Sequence, residues 1–294
     1  MPGIPHRVPV PLEHRVDLGD RGRCRVWEWP GPVGAPTVVL LHGVALDAET
    51  NWFPVCPTLS TQFRVITFDL RGHGQGGLPT TGTWRIEDCA DDAAAVVHAL
   101  ATGPVIPVGY SMGGMVAQEL WHRHPTLVAG LVLCATARNV AGTPGEMFLS
   151  MGMPWAIGAA KWVPLLSAIG SDSLAGPLLD ASMDGPARAA ALRHMRRTSL
   201  WVALEAMHAV SRFTSHRWIG TVDVPTGVLV TRHDRIVDPR RQGKLAASIP
   251  HSKVVEIAGD HGVFLADPTA FGHALLEVCS AAAQPPSTGS TSAA

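Results

Sequence analysis

The sequence predicts an α/β fold: a mostly parallel central sheet flanked by helices, with a helical segment inserted late in the chain. Three observations predict it. Apolar, β-branched runs alternate with helix-like runs up to about residue 137, the rhythm of a parallel sheet with crossover helices. That rhythm stops between about 138 and 218, where no strand candidate occurs, and then resumes. One strand–helix junction, Val105 to Ala117, carries Gly109-Tyr110-Ser111-Met112-Gly113, the pattern of a sharp turn that exposes a serine.

The elements follow in order. Residues 1–22 read as a polar, proline-punctuated lead without the apolar stretch of a secretory signal. Arg23 to Trp29 alternates like a half-exposed strand, and Thr37 to Leu41 is a continuous apolar run suited to burial on both faces. A short helix is expected from Asn51 to Ser60, and strands at Phe63 to Phe68 and Leu131 to Cys134. The helix from Ile86 to Ala101 has Glu87, Asp88, Asp91 and Asp92 in its first turns, where negative charge suits the helix dipole. The chain divides into a core over 1–137, a helical lid over 138–218, a second core part over 219–283 and a disordered tail over 284–294. Within the lid, Met147 to Gly170 has few charges, but Pro154 and Pro164 argue against a membrane span. Strands resume at Gly227 to Thr231 and Lys253 to Ile257.

Composition narrows the functional classes. The 294 residues are 46% hydrophobic and 16% charged, enough for a sizeable core. The net charge of −1 offers no basic footprint for nucleic acid. Five dispersed cysteines without a C-x-x-C read as free thiols in a reducing compartment, here the cytoplasm.

A serine hydroxyl is a weak nucleophile unless a base takes its proton, and the base needs an orienting acid. Ser111 is the candidate nucleophile. Asp234, just past the strand ending at Thr231, is the candidate acid, with Asp238 and Asp260 as competitors. His261, just past the next strand, is the candidate base. Active sites of open α/β sheets gather at these carboxyl ends. Backbone N–H groups of Met112 and Val44 are placed to hold a developing oxyanion. The His42 side chain reads as a structural hydrogen-bonder beneath that loop.

Together, Leu40-Leu41-His42-Gly43, Asp69-Leu70-Arg71-Gly72-His73-Gly74, the Ser111 turn, Asp234 and His261 resemble the landmarks of the α/β-hydrolase superfamily, in its serine-nucleophile group with a helical cap. The resemblance covers roughly residues 23 to 280. It implies a serine esterase, lipase or thioesterase that needs no cofactor and acts on a small-molecule ester or thioester. It also admits a carbon–carbon bond hydrolase, a lactonase, an acyltransferase or, from another class, a non-enzymatic receptor. A serine stands where epoxide hydrolases and dehalogenases carry aspartate, which disfavours those.

Other signals are weaker. Gly72 to Gly77 contains a literal G-x-G-x-x-G, but Pro79 follows where a helix should begin. His122 and His124 lack a third metal partner, and no metal site is expected. Arg193 to Arg197 reads as the solvated face of a lid helix. Trp155, Trp162 and Trp201 are candidates to line an apolar acyl pocket. If neutral His261 is the base, kcat/KM on an ester rises with pH as imidazolium gives way to imidazole, and EDTA leaves the rate unchanged. A profile flat from about pH 5 to 9 under chemistry-limited conditions would contradict a histidine base.

Overall fold

The computed structural model describes residues 10–80, 82–140, 154–161, 170–174 and 185–284. Eight strands form one sheet: β1 (Leu12–Asp17), β2 (Arg23–Trp29), β3 (Thr37–Leu41), β4 (Arg64–Phe68), β5 (Ile106–Tyr110), β6 (Leu131–Cys134), β7 (Thr226–Thr231) and β8 (Lys253–Ile257). Their order across the sheet is β1-β2-β4-β3-β5-β6-β7-β8. The β1–β2 and β2–β4 pairs are antiparallel and every other pair is parallel. Parallel strands aim their carboxyl ends at one edge, so the loops after β3, β5, β7 and β8 meet there.

Both faces of the sheet are covered, which is why its central strands read as unbroken apolar runs. Val39, Leu41, Ile66 and Phe68 enter the core on one face, beneath α3 (Ile86–Ala99) and α4 (Met112–Arg123). Val38, Leu40 and Val65 enter the core on the other, with α1 (Ala48–Trp52), α2 (Cys56–Leu59) and the C-terminal helices α8 (Val263–Ala266) and α9 (Pro268–Ala282). All five cysteines are buried free thiols.

Two expectations for the first sixty residues need correction. The supposed N-terminal lead contains β1, whose burial pattern is mostly exposed. Its register against β2 runs from Leu12 opposite Glu28 to Asp17 opposite Arg23, so backbone pairing rather than an apolar face makes it a strand. The single helix expected over 51–60 is two short helices, because Pro54 ends the first and Val55 opens the second.

Between β6 and β7, the described residues form no sheet strand. They include a helical stretch at 154–161, α5 (Gly185–Met195) and α6 (Leu200–Arg212). The expected lid boundaries at 138 and 218 bracket these elements, while 141–153, 162–169 and 175–184 lie outside the described residues.

The cluster from Arg193 to Arg197 is not simply a solvated face. Met195 is fully buried. His194 Nδ1 lies 2.8 Å from Asp47 Oδ2, and Arg197 Nη1 donates to Glu49 Oε2 at 2.7 Å. His194 and Arg197 meet their carboxylates at the start of α1, where Asp47 is the N-cap and Glu49 lies in the first turn, a long-range pairing that helical periodicity does not register.

The serine turn depends on two close backbone approaches. A Cβ on Gly109 would strike the Gly113 carbonyl, and one on Gly113 would strike the Leu41 carbonyl oxygen. The obstacles are backbone, so no rotamer change relieves them. Gly113→Ala should therefore destabilise the fold by about 3 kcal/mol or more in urea unfolding. Gly243→Ala is the contrast. It replaces an exposed glycine of α7 (Pro239–Ala246) with open space around the new methyl, and should stabilise by about 0.5–1 kcal/mol.

Candidate active site

β5 runs straight into α4 through one residue, and that residue is Ser111, at φ 53° and ψ −116°. Such a conformation costs a non-glycine residue about 1–3 kcal/mol and persists only where neighbours enforce it. Here the Ser111 N–H donates to the Cys134 carbonyl at 2.9 Å, and the Thr136 hydroxyl donates to the Ser111 carbonyl at 2.7 Å. The hydroxyl projects at the sheet edge with the α4 N-terminus behind it.

The structure brings Ser111, His261 and Asp234 together. His261 Nε2 lies 3.0 Å from Ser111 Oγ, and His261 Nδ1 lies 2.8 Å from Asp234 Oδ2. An ionised carboxylate only accepts, so the Nδ1 proton points to Asp234 and Nε2 is left to accept from the serine hydroxyl. Asp234 is buried and thoroughly solvated by protein. Its Oδ1 accepts the N–H groups of Ile236 at 2.8 Å and Val237 at 2.9 Å. Its Oδ2 also accepts the Thr231 hydroxyl at 2.7 Å and the Gln242 amide at 3.1 Å. Burial alone would raise this carboxyl. The His261 ring and these donors override it and hold the group below the usual aspartate range.

The competing aspartates are occupied elsewhere. Asp238 caps α7 by accepting the Arg240 N–H at 2.8 Å, and Asp260 accepts the Gly262 N–H at 2.8 Å.

Several supports were not legible as site residues. The Tyr110 hydroxyl, fully buried, donates to the His261 carbonyl at 2.7 Å and fixes the histidine's backbone. Thr231 and Gln242 hold Asp234. A polar aromatic at the last residue of a buried strand, next to the serine, is a signal for Tyr110. Gln242 has none, because only the fold brings α7 to the end of β7.

The loop after β3 is equally constrained. The Leu46 N–H donates to the Gly43 carbonyl at 3.3 Å, and Ala45 takes φ 60°, so Val44 sits at the bend of a tight turn. The Gly43 N–H donates to Asn51 Oδ1 at 2.9 Å. His42 Nδ1 donates to the Gly43 carbonyl at 2.8 Å while its Nε2 accepts the Leu70 N–H at 2.8 Å. Burial pushes the His42 ring toward its neutral form. Both ring nitrogens are therefore spent on the loop, as expected of a structural hydrogen-bonder. Met112 is the first residue of α4, where an N–H has no intrahelical partner. Among the described residues no backbone acceptor takes the N–H of Val44 or Met112.

A narrow crevice at the serine is walled by Gly43, Val44, Leu46, Ser111, His261 and Phe264. The expected tryptophan lining is not found there. Trp155 is 85% exposed, and Trp201 packs at the margin of the core with the Lys161 ammonium 4.8 Å above its ring. Trp162 lies outside the described residues. A larger hollow of about 610 Å³ lies between α3 and α6, and no member of the Ser–His–Asp group lines it.

The G-x-G-x-x-G loop holds no anion site in its amides. The N–H groups of Gln75 and Gly76 already donate to the buried Asp69 carboxyl at 3.1 and 2.9 Å and are not free for a phosphate. Among the described residues one trio has ligand-like spacing, Asp47, Glu49 and His194. Arg197 Nη1 reaches all three within 3.2 Å and places its own positive charge among them.

A family model described as the alpha/beta hydrolase fold matches residues 36–165. The chain is also similar in structure to a hydrolase from Pseudomonas aeruginosa, with a TM-score of 0.77, 20% identity, and 92% of this chain and 98% of that one covered. The chain has the α/β-hydrolase fold. As an α/β-hydrolase it is similar over 258 residues, at 28% identity, to RutD of Agrobacterium fabrum, for which carbamate hydrolysis is proposed; this match covers 83% of the chain and 92% of RutD. It is 41% identical over 113 residues to the pimeloyl-[acyl-carrier protein] methyl ester esterase of Methylococcus capsulatus, covering 37% of this chain and 42% of the esterase. This α/β-hydrolase is thus an enzyme among hydrolases, and no helix of its described residues is long and apolar enough to cross a membrane.

The depressed Asp234 carboxyl makes a stability prediction. A group whose pKa is lower folded than unfolded contributes stability above its unfolded value, about 3.9, and that stability is lost as pH falls through the folded value. Asp234→Asn should therefore destabilise the protein most near neutral pH, and the gap from wild type should narrow on acidification. Denaturant unfolding at several pH values measures it; a gap that widens in acid would contradict the assignment.

Proposed function

We propose that the protein is a serine hydrolase that cleaves a carboxylic ester or thioester of a fairly lipophilic acyl group through an acyl-enzyme. The observation that carries this reading is the unbroken hydrogen-bond relay from Ser111 Oγ through His261 to the buried Asp234. Hydrolases of carbamates and methyl esters share its essential step, attack on a carbonyl that bears a heteroatom leaving group.

In this reading His261 Nε2 takes the Ser111 proton as Oγ attacks the carbonyl carbon. Asp234 keeps the ring oriented and stabilises the imidazolium. The carbonyl oxygen gains charge between the N–H groups of Val44 and Met112, which are donors held in place before the reaction starts. The tetrahedral intermediate collapses, the carbon–heteroatom bond breaks, and His261 returns the proton to the departing atom. Water, deprotonated by the same histidine, then attacks the acyl-serine and regenerates Ser111. No metal or organic cofactor enters these steps.

Two further features support the reading. The Ser111 backbone strain aims the hydroxyl rather than serving the core. His42, a buried histidine on the loop after β3, is engaged at both nitrogens and is not available as a second base.

Ser111→Ala should fold and lose ester turnover by about four orders of magnitude or more. His261→Ala should lose a similar amount, and the double variant little more, because residues that act as one unit are not additive. Steady-state rates on p-nitrophenyl esters, with fluorophosphonate labelling of Ser111, check this. Retention of most activity in Ser111→Ala, or simple multiplication of the two losses, would contradict the mechanism.

A further inference from the structure

The two walls of the serine crevice do not end at the crevice. The loop that contributes Gly43, Val44 and Leu46 continues into Glu49, Thr50 and Phe53, which wall a neighbouring groove of about 510 Å³. Opposite, Phe264 lines both spaces, and Leu265 and Pro268 carry its wall onward. Ala190, Ala191 and His194 of α5 form the third side. The groove therefore adjoins the serine crevice across Phe264, on the flank built by the residues just after His261.

That flank matters chemically. When the tetrahedral intermediate collapses, the departing oxygen takes its proton from His261 Nε2, so the leaving group must lie on the histidine's side of the serine. The volume falls within the range of small-molecule sites. The groove's ionisable groups are already paired within the protein, while the Thr50 hydroxyl is buried in its wall without a hydrogen-bond partner. Glu49 accepts from Arg197 at 2.7 Å, and His194 lies 2.8 Å from Asp47 and 3.0 Å from Arg197. What remains for a ligand is the surface of Phe53, Ala190, Ala191 and Leu265. Two carboxylates, Asp47 and Glu49, against one guanidinium leave this end short of positive charge for a polyanionic thiol.

Building on the acyl-enzyme reading, we propose that this groove is the leaving-group subsite and that it accepts an uncharged, apolar alcohol or phenol of aromatic-ring size. In the step concerned, the bond from Ser111 Oγ to the carbonyl carbon has formed and the bond from that carbon to the leaving oxygen breaks. The proton that His261 took from Ser111 passes to that oxygen, and the neutral alcohol departs through the groove.

The test compares methyl and benzyl butanoate, which share an acyl group and have leaving oxygens of similar basicity, with methyl octanoate as the acyl-length probe. Ala190→Trp fills the groove from α5, and Leu265→Trp fills it from α8. In each, the benzyl-to-methyl ratio of kcat/KM should fall at least tenfold while the octanoate-to-butanoate ratio moves less than twofold. The use of two walls keeps the result readable if one variant folds poorly. A fall in the octanoate ratio alone would place the acyl group in the groove, and movement in neither ratio would empty it; either overturns the assignment. A more than tenfold preference of the wild type for butanoyl-coenzyme A over benzyl butanoate would also overturn it. If Ser111→Ala still cleaved benzyl butanoate, the acyl-enzyme reading would fall and take the groove with it. An intact Ser111 dependence with unmoved ratios would remove the groove alone.

Discussion

The close approach of α4 to β3 is the constraint on which the rest of the site depends. Gly113 lies against the Leu41 carbonyl with no room for a side chain, and Gly109 lies against the Gly113 carbonyl. These contacts lock the start of α4 onto the end of β3. They bring the Ser111 hydroxyl and the Val44 turn to one point, since Val44 follows Leu41 by three residues. The positive φ of Ser111 follows from the same geometry, because β5 must become α4 within a single residue. Packing here creates the strain, and the strain aims the Ser111 hydroxyl.

Around that point the protein stabilises buried negative charge with local donors. Asp234 receives two backbone N–H groups, a hydroxyl and an amide besides the histidine. Asp69 receives the N–H groups of Ala48, Gln75 and Gly76, and so ties the loops after β3 and β4 together. Asp92, 1% exposed, takes a bidentate contact from Arg71 at 2.9 and 2.6 Å and another from Arg21. An unpaired buried carboxylate would be strongly destabilising, so each of these groups is matched. The loops after β3, β4 and β7 are thus held by hydrogen bonds to Asp69 and Asp234 as well as by buried side chains such as Leu46, Leu70 and Val237. Preorganised donors on loops held in this way need no reorientation when charge develops on the substrate oxygen.

Much of this was legible in the sequence. The central strands announced themselves because burial on both faces demands unbroken β-branched runs, as in Thr37 to Leu41 and Leu131 to Cys134. Ser111, Asp234 and His261 could be named as candidates because each sits just past a strand of the parallel part of the sheet. What escaped depended on tertiary pairing. β1 is held by its neighbour's backbone, not by its own pattern. Gln242 reaches Asp234 from α7, Tyr110 reaches the His261 carbonyl across 151 residues, and His194 and Arg197 find Asp47 and Glu49 from nearly 150 residues away. Composition misled at the tryptophans, since Trp155 is exposed and Trp201 packs beneath a lysine.

We propose that this geometry makes Ser111 the covalent nucleophile. Rapid acid quenching of the wild type during turnover of a slowly deacylating p-nitrophenyl ester, followed by peptide mass spectrometry, tests it most directly. One acyl group per chain is expected, attached to the peptide that contains Ser111, with its accumulation matching the initial release of p-nitrophenol. Acylation of any other residue, or rapid turnover with no acyl-peptide while deacylation limits the rate, would contradict it.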